Sequence, residues 1–427
     1  MEKIVQQFRN LQLHLKKDEV WRYVDFSSIL CDELLLPDGE RQTAEYRCNI
    51  PDLDAVRFVT ENGFCHQSAL RTKEGTLLTG LRNCSNLRSD VFRQHFGKAC
   101  PQKNPYLEIN TNNYTDGICA YVPDGTTQQK PIQLQSVINT GHGLFLQTRN
   151  LVVVGRNSHV VIIHCDDSYD HSPAFANNVT EILVMEGAQV EYYKMQNLNN
   201  QTGLLNHTYV SMQQGASFRS VVLTLNGGHI RNHTEIRMLG EHCEVEAHGL
   251  FLNDQEQQVG NYIFVDHAFP SCHSRELFKG ILDDNARGTF NGHVLVEDDA
   301  AKTEAYQANH NILLTDKAHI TSQPFLEIYN DDVKCSHGST VGQLDEQALF
   351  YIRSRGISER TATTMLSYAF CDEVLQQILL EPVRNKLIDL VKKRLHGELT
   401  PCQECSLHCS SPCNGPEANF HIDPSKL

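Results

Sequence analysis

Four cysteines lie close together near the carboxyl end of this 427-residue chain. They are Cys402, Cys405, Cys409 and Cys413, in a C-x2-C-x3-C-x3-C spacing. Four thiolates this close can surround one zinc ion or an iron–sulfur cluster without help from the rest of the fold. The spacing matches neither a bacterial ferredoxin nor a paired C-x2-C zinc ribbon. A tail-bound zinc or iron–sulfur cluster is therefore one interpretation, and a metal-free tail with redox-active thiols is the alternative.

A second candidate site is the segment Lys334-Cys335-Ser336-His337-Gly338. Cys335 and His337 are two residues apart, so on a strand both side chains would face the same side. A thiolate together with an imidazole suits metals such as iron and zinc. Two ligands do not complete a site, so the others would come from elsewhere in the fold or from a second chain.

The sequence lacks several common signatures of enzymes. The sequence contains no phosphate loop, no Gly-x-Ser-x-Gly elbow and no His-Glu-x-x-His pair. Neighbouring aspartates, which could serve a β-helix carbohydrate-active enzyme, occur at Asp166-Asp167, Asp283-Asp284, Asp298-Asp299 and Asp331-Asp332. Each pair falls at a predicted turn, where aspartate is favoured by its own hydrogen bonds to the backbone. We therefore favour a turn role for each pair and keep a carbohydrate-active enzyme as an alternative.

The region that holds most of these residues, about 106–344, has almost no helical periodicity. It consists of short runs rich in Val, Ile, Tyr, Phe and Thr, each bounded by Gly, Asn or Asp. A turn followed by a new alternating run recurs near Gly155, Gly187, Gly215 and Gly240. Such repetition is typical of stacked rungs that bury their inner residues against their neighbours. Because two-residue Asn-Gly hairpin turns are few, we predict a parallel β-helix rather than a sandwich or barrel.

Helical patterns flank this β region on both sides. Residues 1–105 are a mixed region that begins with an amphipathic helix. Residues 345–397 contain three amphipathic helices, of which the second is capped by Ser358 and the third ends at Gly397. Residues 398–427 form the tail with the cysteine cluster. The sequence thus predicts a mainly β chain with helical amino- and carboxy-terminal regions.

The charge balance argues against two classes of partner. The chain has 37 basic and 52 acidic residues, a net charge of −15 with histidine neutral. Proteins that bind nucleic acid or membrane surfaces usually present a basic field instead. No apolar run reaches the roughly 18 residues of a membrane span, and the first residues lack the apolar stretch of a signal peptide. We expect a cytoplasmic protein that contacts neither nucleic acid nor membrane.

Longer motifs make the chain recognisable. The most specific are Trp21-Arg-Tyr-Val-Asp25, Leu107-Glu-Ile-Asn-Thr111, Lys334-Cys-Ser-His-Gly-Ser-Thr-Val-Gly-Gln-Leu344 and Leu349-Phe-Tyr-Ile-Arg-Ser-Arg-Gly-Ile357. Together they resemble the SufB/SufD family of iron–sulfur cluster assembly scaffolds, and within it the SufD branch, over roughly residues 20–397. The resemblance implies a right-handed parallel β-helix with helical ends and a non-enzymatic scaffold subunit.

The same resemblance implies partners and a site. It implies a complex with a SufB-like paralogue and two copies of a SufC-like ATPase docked on the carboxy-terminal helices. A transient iron–sulfur cluster would form where the two β-helix ends meet. His337 falls on the SufD histidine of that interface, and Cys335 on its neighbour. SufB-type chains carry a cluster-building cysteine about one rung earlier, where this chain has Asn309 or His310. Whether the isolated chain is a homodimer, and whether a flavin takes part, stays open.

Overall fold

The structure is a computed structural model that describes residues 2–30, 34–39, 50–101 and 104–397. Within these ranges two long β-sheets form the body of the molecule, and helices lie toward both ends of the chain. None of the described helices combines the length and the apolar character that a membrane span requires.

The described residues form seven helices and twenty strands. The helices are α1 (Glu2–Leu15), α2 (Leu81–Leu87), α3 (Ser89–His95), α4 (Pro105–Asn113), α5 (Glu346–Ser354), α6 (Glu359–Leu375) and α7 (Glu381–His396). The first ten strands are β1 (Val56–Glu61), β2 (Phe64–Cys65), β3 (Leu70–Arg71), β4 (Leu77–Gly80), β5 (Ile118–Val122), β6 (Ile132–Ile138), β7 (Leu144–Val154), β8 (His159–Ser168), β9 (Ala174–Val184) and β10 (Gln189–Asn197). The other ten are β11 (Thr202–Met212), β12 (Ser217–Asn226), β13 (His229–Met238), β14 (Glu244–Asn253), β15 (Gln258–His267), β16 (His273–Leu282), β17 (Arg287–Val296), β18 (Thr303–Leu313), β19 (His319–Ile328) and β20 (Val333–Gly342).

The strands belong to two ten-stranded sheets. Sheet A has the order β19-β17-β15-β13-β11-β9-β7-β5-β4-β3, and sheet B has the order β2-β1-β6-β8-β10-β12-β14-β16-β18-β20. From β6 onward consecutive strands alternate between the sheets, and the neighbours within each sheet pair in parallel. This is the topology of a β-solenoid. The predicted parallel β-helix with helical ends is confirmed, and the alternative sandwich or barrel is wrong.

The predicted turns hold the rungs in register. Gly187 and Gly215 have φ angles of +64° and +65°, which residues with a Cβ atom rarely adopt. Their amides donate hydrogen bonds to the carbonyls of Gln214 and Glu241 in the following turns. Between the sheets, alternate side chains of the strands form a continuous apolar core. Each turn therefore places a new strand directly beside the equivalent strand of the previous rung.

The amino-terminal region covers the outer face of sheet A. The predicted first helix is confirmed as α1, and its Phe8 packs against Phe145 and Phe175 with ring centroids 5.4 and 5.3 Å apart. Trp21, the only tryptophan of the chain, stacks on His233 of β13 with a centroid distance of 4.9 Å. All five rings are buried, so this region is part of the folded body.

The carboxy-terminal helices cover the outer face of sheet B, where α6 and α7 share an apolar cluster with its strands. Arg394 of α7 also makes two 2.6 Å hydrogen bonds to the carboxylate of Asp254, a bidentate arrangement that fixes geometry as well as charge. The predicted helix ends are confirmed. Ser358 caps the start of α6, and Gly397 ends α7 with a φ angle of +75°.

Candidate functional site

The solenoid ends in two strands that pair on one side only. β19 pairs with β17, β20 pairs with β18, and no described strand pairs with their other edges. Backbone amides and carbonyls along these edges are thus available to another chain. Large apolar side chains are exposed here, including Phe325 at 54% and Val341 at 48%. We call this rung, with its two edges and its inner face, the open end.

Cys335 and His337 lie on β20, at the open end. In the parallel register they stand opposite Ala305 and Gln307, which are both buried inside the solenoid. Both side chains therefore belong to the inner face of the strand, in line with their spacing of two. Since no described rung follows, His337 is exposed and Cys335 is half-buried. The structure brings the two residues together where the interior meets the surface.

The Cys335 side chain is not a preformed metal ligand. Burial raises the pKa of its thiol above the ordinary value of 9.0, and a backbone hydrogen bond at Ala305 offsets only part of this effect. At neutral pH the group is therefore a thiol. A metal ion or a positive charge brought by another chain would be needed to ionise it.

A buried acid lies two rungs below His337 on the same inner face. Nε2 of Gln307 donates a 2.8 Å hydrogen bond to Oε2 of Glu276. Glu276 is 1% exposed, and burial raises its pKa to about 8. It has no ion-pair partner in the described part of the chain, so its carboxyl group is mainly protonated at neutral pH. Sequence reasoning missed both residues, because they are 31 positions apart and no motif joins them.

A second row of hydrogen-bonded polar side chains on the inner face ends at Ser339 of β20. Oδ1 of Asn309 accepts a 2.7 Å hydrogen bond from Oγ of Ser322, which lies 2.7 Å from Oγ of Ser339. His310 points to the outer face, where its Nδ1 lies 2.8 Å from Oγ1 of Thr340. The sequence comparison with SufB-type chains placed Asn309 or His310 at the position of their cluster-building cysteine. Of these two residues, only Asn309 faces the interior.

One of the four aspartate pairs is not at a turn. Asp166-Asp167 lies within β8, so the prediction of a turn is wrong there, while the other three pairs lie between strands. Asp166 is buried in the solenoid, and its Oδ2 lies 2.8 Å from Nζ of Lys194 on β10. A buried carboxylate is tolerated in a strand when a cation pairs with it. The ion pair with Lys194 explains why Asp166 can lie within a strand, which the residues beside it in the sequence do not explain.

The tail cysteines Cys402, Cys405, Cys409 and Cys413 lie outside the described residues, so the tail-bound metal stays a prediction. Within the described ranges, no group of three or more His, Cys, Asp or Glu side chains is placed to hold a metal ion. Cys335 and His337 consequently need ligands from outside these ranges or from another chain to complete a site.

A second exposed apolar surface follows the open end directly. Three residues separate α5 from β20, and α5 buries none of its side chains. Phe350 and Tyr351 are 75% and 59% exposed. Adjacent large aromatic side chains that the rest of a chain does not cover commonly mark an interaction surface.

Two family models match the chain over most of its length. The SUF system FeS cluster assembly, SufBD core domain matches residues 137–370, and the SufBD protein N-terminal region matches residues 2–134. The core match covers most of the solenoid and includes the strand that carries Cys335 and His337. The chain belongs to the SufBD family of iron–sulfur cluster assembly proteins.

Three relatives are similar to this chain over most of their own lengths. The iron–sulfur cluster assembly protein SufD of Escherichia coli is 26% identical over 407 residues, which covers 92% of each chain. A SufBD family protein of Synechocystis is 28% identical over 399 residues, covering 90% of this chain and 88% of its own. The chloroplastic protein ABCI7 of Arabidopsis thaliana is 25% identical over 395 residues, covering 88% and 82%. Within the family, this chain is SufD-like.

Proposed function

We propose that this chain is the non-enzymatic SufD-like scaffold subunit of a SufBCD-type complex, in which an iron–sulfur cluster is built at the open end of the solenoid. The observation that carries the proposal is the position of Cys335 and His337, side by side on the inner face of the last rung. Three of the four aspartate pairs lie at turns, and in the fourth pair Asp166 forms an ion pair with Lys194. These positions give little support to a carbohydrate-active enzyme.

The first partner is a SufB-like paralogue that binds the open end. Exposed sheet edges recruit other chains by strand addition, and β19 and β20 offer one edge from each sheet. A paralogue with the same solenoid would present two matching edges. The interface between the two solenoids would bury Phe325 and Val341 and bring ligands of the paralogue to Cys335 and His337. In the isolated chain, a second copy could pair with the same edges, which would give a homodimer.

The second partner is a SufC-like ATPase that binds the carboxy-terminal helices. Because the chain has no phosphate loop, nucleotide hydrolysis must come from another subunit. Phe350 and Tyr351 on α5 supply an exposed apolar surface for it. Only three residues separate α5 from β20, so a movement of the ATPase would reach the open end directly.

The cluster is cargo of the complex and not a resident cofactor of this chain. Thiolate and imidazole are suitable ligands for iron. Since burial raises the pKa of Cys335, we expect this thiol to ionise only when iron or a positive charge of the paralogue arrives. Ligand formation would thus be coupled to assembly of the complex.

Two double variants are expected to separate the two partners. Phe325→Asp with Val341→Asp places charges at the open end, and we expect loss of the paralogue with retention of the ATPase. Phe350→Asp with Tyr351→Asp places the same charges on α5 and should have the opposite effect. All four side chains are exposed, so the fold should be preserved. The measurement is anaerobic co-expression with both partners, followed by pull-down and quantification of each partner.

Each double variant is the matched control of the other, because both add two negative charges to an exposed apolar site. The proposal predicts the crossed pattern. If the variant of the open end retained the paralogue, docking at β19 and β20 would be contradicted. An undiminished ATPase yield with the α5 variant would contradict docking on that helix.

A further inference from the structure

We propose that Gln307, oriented by Glu276, positions the imidazole of His337 by accepting a hydrogen bond from one ring nitrogen, so that the other ring nitrogen faces the partner chain. The inference rests on the proposed function, because it assigns a positioning role within the same site. It adds one buried positioning residue, Gln307, to a site whose exposed members are Cys335 and His337.

Three side chains form a column on the inner face of sheet B. Glu276, Gln307 and His337 share one register position on β16, β18 and β20. Neighbouring strands of a sheet are about 4.8 Å apart, so each of these side chains lies directly beside the previous one. The equivalent residue on β14 is Ala247. The polar column therefore begins at Glu276 and leads only toward the open end.

Gln307 has one polar atom left to use. Its Nε2 donates to Oε2 of Glu276 at 2.8 Å, while its Oε1 is buried and has no hydrogen-bond partner among the described residues. A buried acceptor without a partner is unfavourable, and nearly all such atoms in proteins are paired. An amide that turns Nε2 toward Glu276 leaves Oε1 for a donor on the following rung, where His337 stands. His337 is exposed and does not make this hydrogen bond in the structure of the chain alone, so the proposal includes a rotation of its side chain onto Oε1.

The opposite sheet confines the Gln307 side chain. Gly292 of β17 faces it across the interior, and a Cβ atom at this glycine would lie 2.4 Å from Nε2 of Gln307. Because Gly292 has no side chain, the amide of Gln307 has room to lie against its backbone. A group confined by packing and held by a hydrogen bond keeps its acceptor in a fixed place, as a positioning residue must.

The chemistry of imidazole explains why one acceptor matters. A neutral ring has one N–H donor and one free nitrogen, and the hydrogen bond made by the first decides which nitrogen is free. Metal-binding histidines usually donate their N–H to a carboxylate, carbonyl or water, and loss of that acceptor typically costs about 10–100-fold in affinity or activity. The amide oxygen of Gln307 would play this part for His337.

The test compares Gln307→Met with Glu276→Gln. Methionine keeps the volume and removes the acceptor, whereas glutamine at position 276 still accepts from Nε2 of Gln307 and preserves its orientation. In the full chain labelled with 15N-histidine, the ring-nitrogen shifts of His337, assigned by their loss in His337→Asn, report its tautomer. We expect one dominant tautomer in the parent chain and in Glu276→Gln, and a mixture in Gln307→Met. In the complex, cluster formation should slow about ten-fold in Gln307→Met alone.

Thermal unfolding shows whether Gln307→Met is folded. If it is not, Gln307→Asn replaces it, since it keeps an amide but withdraws the acceptor by one methylene, and the same changes are expected. Unchanged ring shifts or an unchanged rate would overturn the inference. Slower cluster formation without a change in the His337 shifts would also overturn it, because the effect would then be structural. The proposed site fails separately if His337→Ala does not affect cluster formation.

Discussion

Replacing His337 by alanine in the complex with both partners is expected to slow cluster formation by at least about ten-fold. The imidazole stands beside Cys335 on the inner face of the open end, where a cluster between two solenoids would take its ligands from this chain. Both partners should stay bound. The side chain is exposed, so its removal should change the free energy of unfolding by less than about 0.5 kcal/mol. The measurement is visible absorbance after anaerobic addition of iron and sulfide.

Ser336→Ala is the matched control for this variant. Ser336 lies between Cys335 and His337 in the chain, is exposed, and belongs to the opposite face of β20. Its replacement should leave the rate unchanged. A His337→Ala complex that forms clusters at the parent rate would contradict the role of His337, and equal losses in the two variants would indicate a general disturbance of the strand.

Replacing Glu276 by glutamine is expected to stabilise the chain, and more so at high pH. The ordinary pKa of a glutamate is 4.5, and burial raises that of Glu276 to about 8. The folded chain thus binds this proton more tightly than the unfolded chain does. The resulting stabilisation is complete below about pH 4.5 and is lost as the pH rises to about 8. A pKa difference of this size corresponds to at most about 5 kcal/mol in the free energy of unfolding. Glutamine has no ionisable proton, so the variant does not lose stability in this way as the pH rises.

Thermal unfolding of both chains at about pH 5.5 and about pH 8.5 measures the effect. The advantage of Glu276→Gln should grow by about 3 kcal/mol between these pH values, or about 3 °C in Tm for a chain of this length. Glu304→Gln is the control, because the hydrogen bond to Lys334 lowers the pKa of that surface carboxyl. The control should show no such growing advantage. An advantage of Glu276→Gln that is equal at both pH values would contradict the burial of a protonated acid.

The solenoid was predictable from the sequence because its turns are local features. Gly187 and Gly215 mark turns that require a positive φ angle, and the strands are the alternating runs between them. The carboxy-terminal helices were predictable for the same reason, since Ser358 and Gly397 are caps that act within one helical turn. The common face of Cys335 and His337 follows from the two-residue period of any strand.

The inner column was not predictable, because it depends on which residues of different rungs stand side by side. Glu276 and Gln307 are 31 positions apart, and the length of a rung varies along this chain. The error at Asp166 has the same origin. Its partner Lys194 lies on the next rung of sheet B, so the local sequence shows an acid that suits a turn and not the cation that lets it lie in a strand.

The mass of the intact, co-expressed complex tests the scaffold role most directly. The tagged chain would be expressed anaerobically with the SufB-like and SufC-like proteins of its host, purified, and weighed by native mass spectrometry. We expect an assembly of one copy of this chain, one copy of the paralogue and two copies of the ATPase. A chain that purifies without either protein, although both are present in the same cells, would contradict the scaffold role.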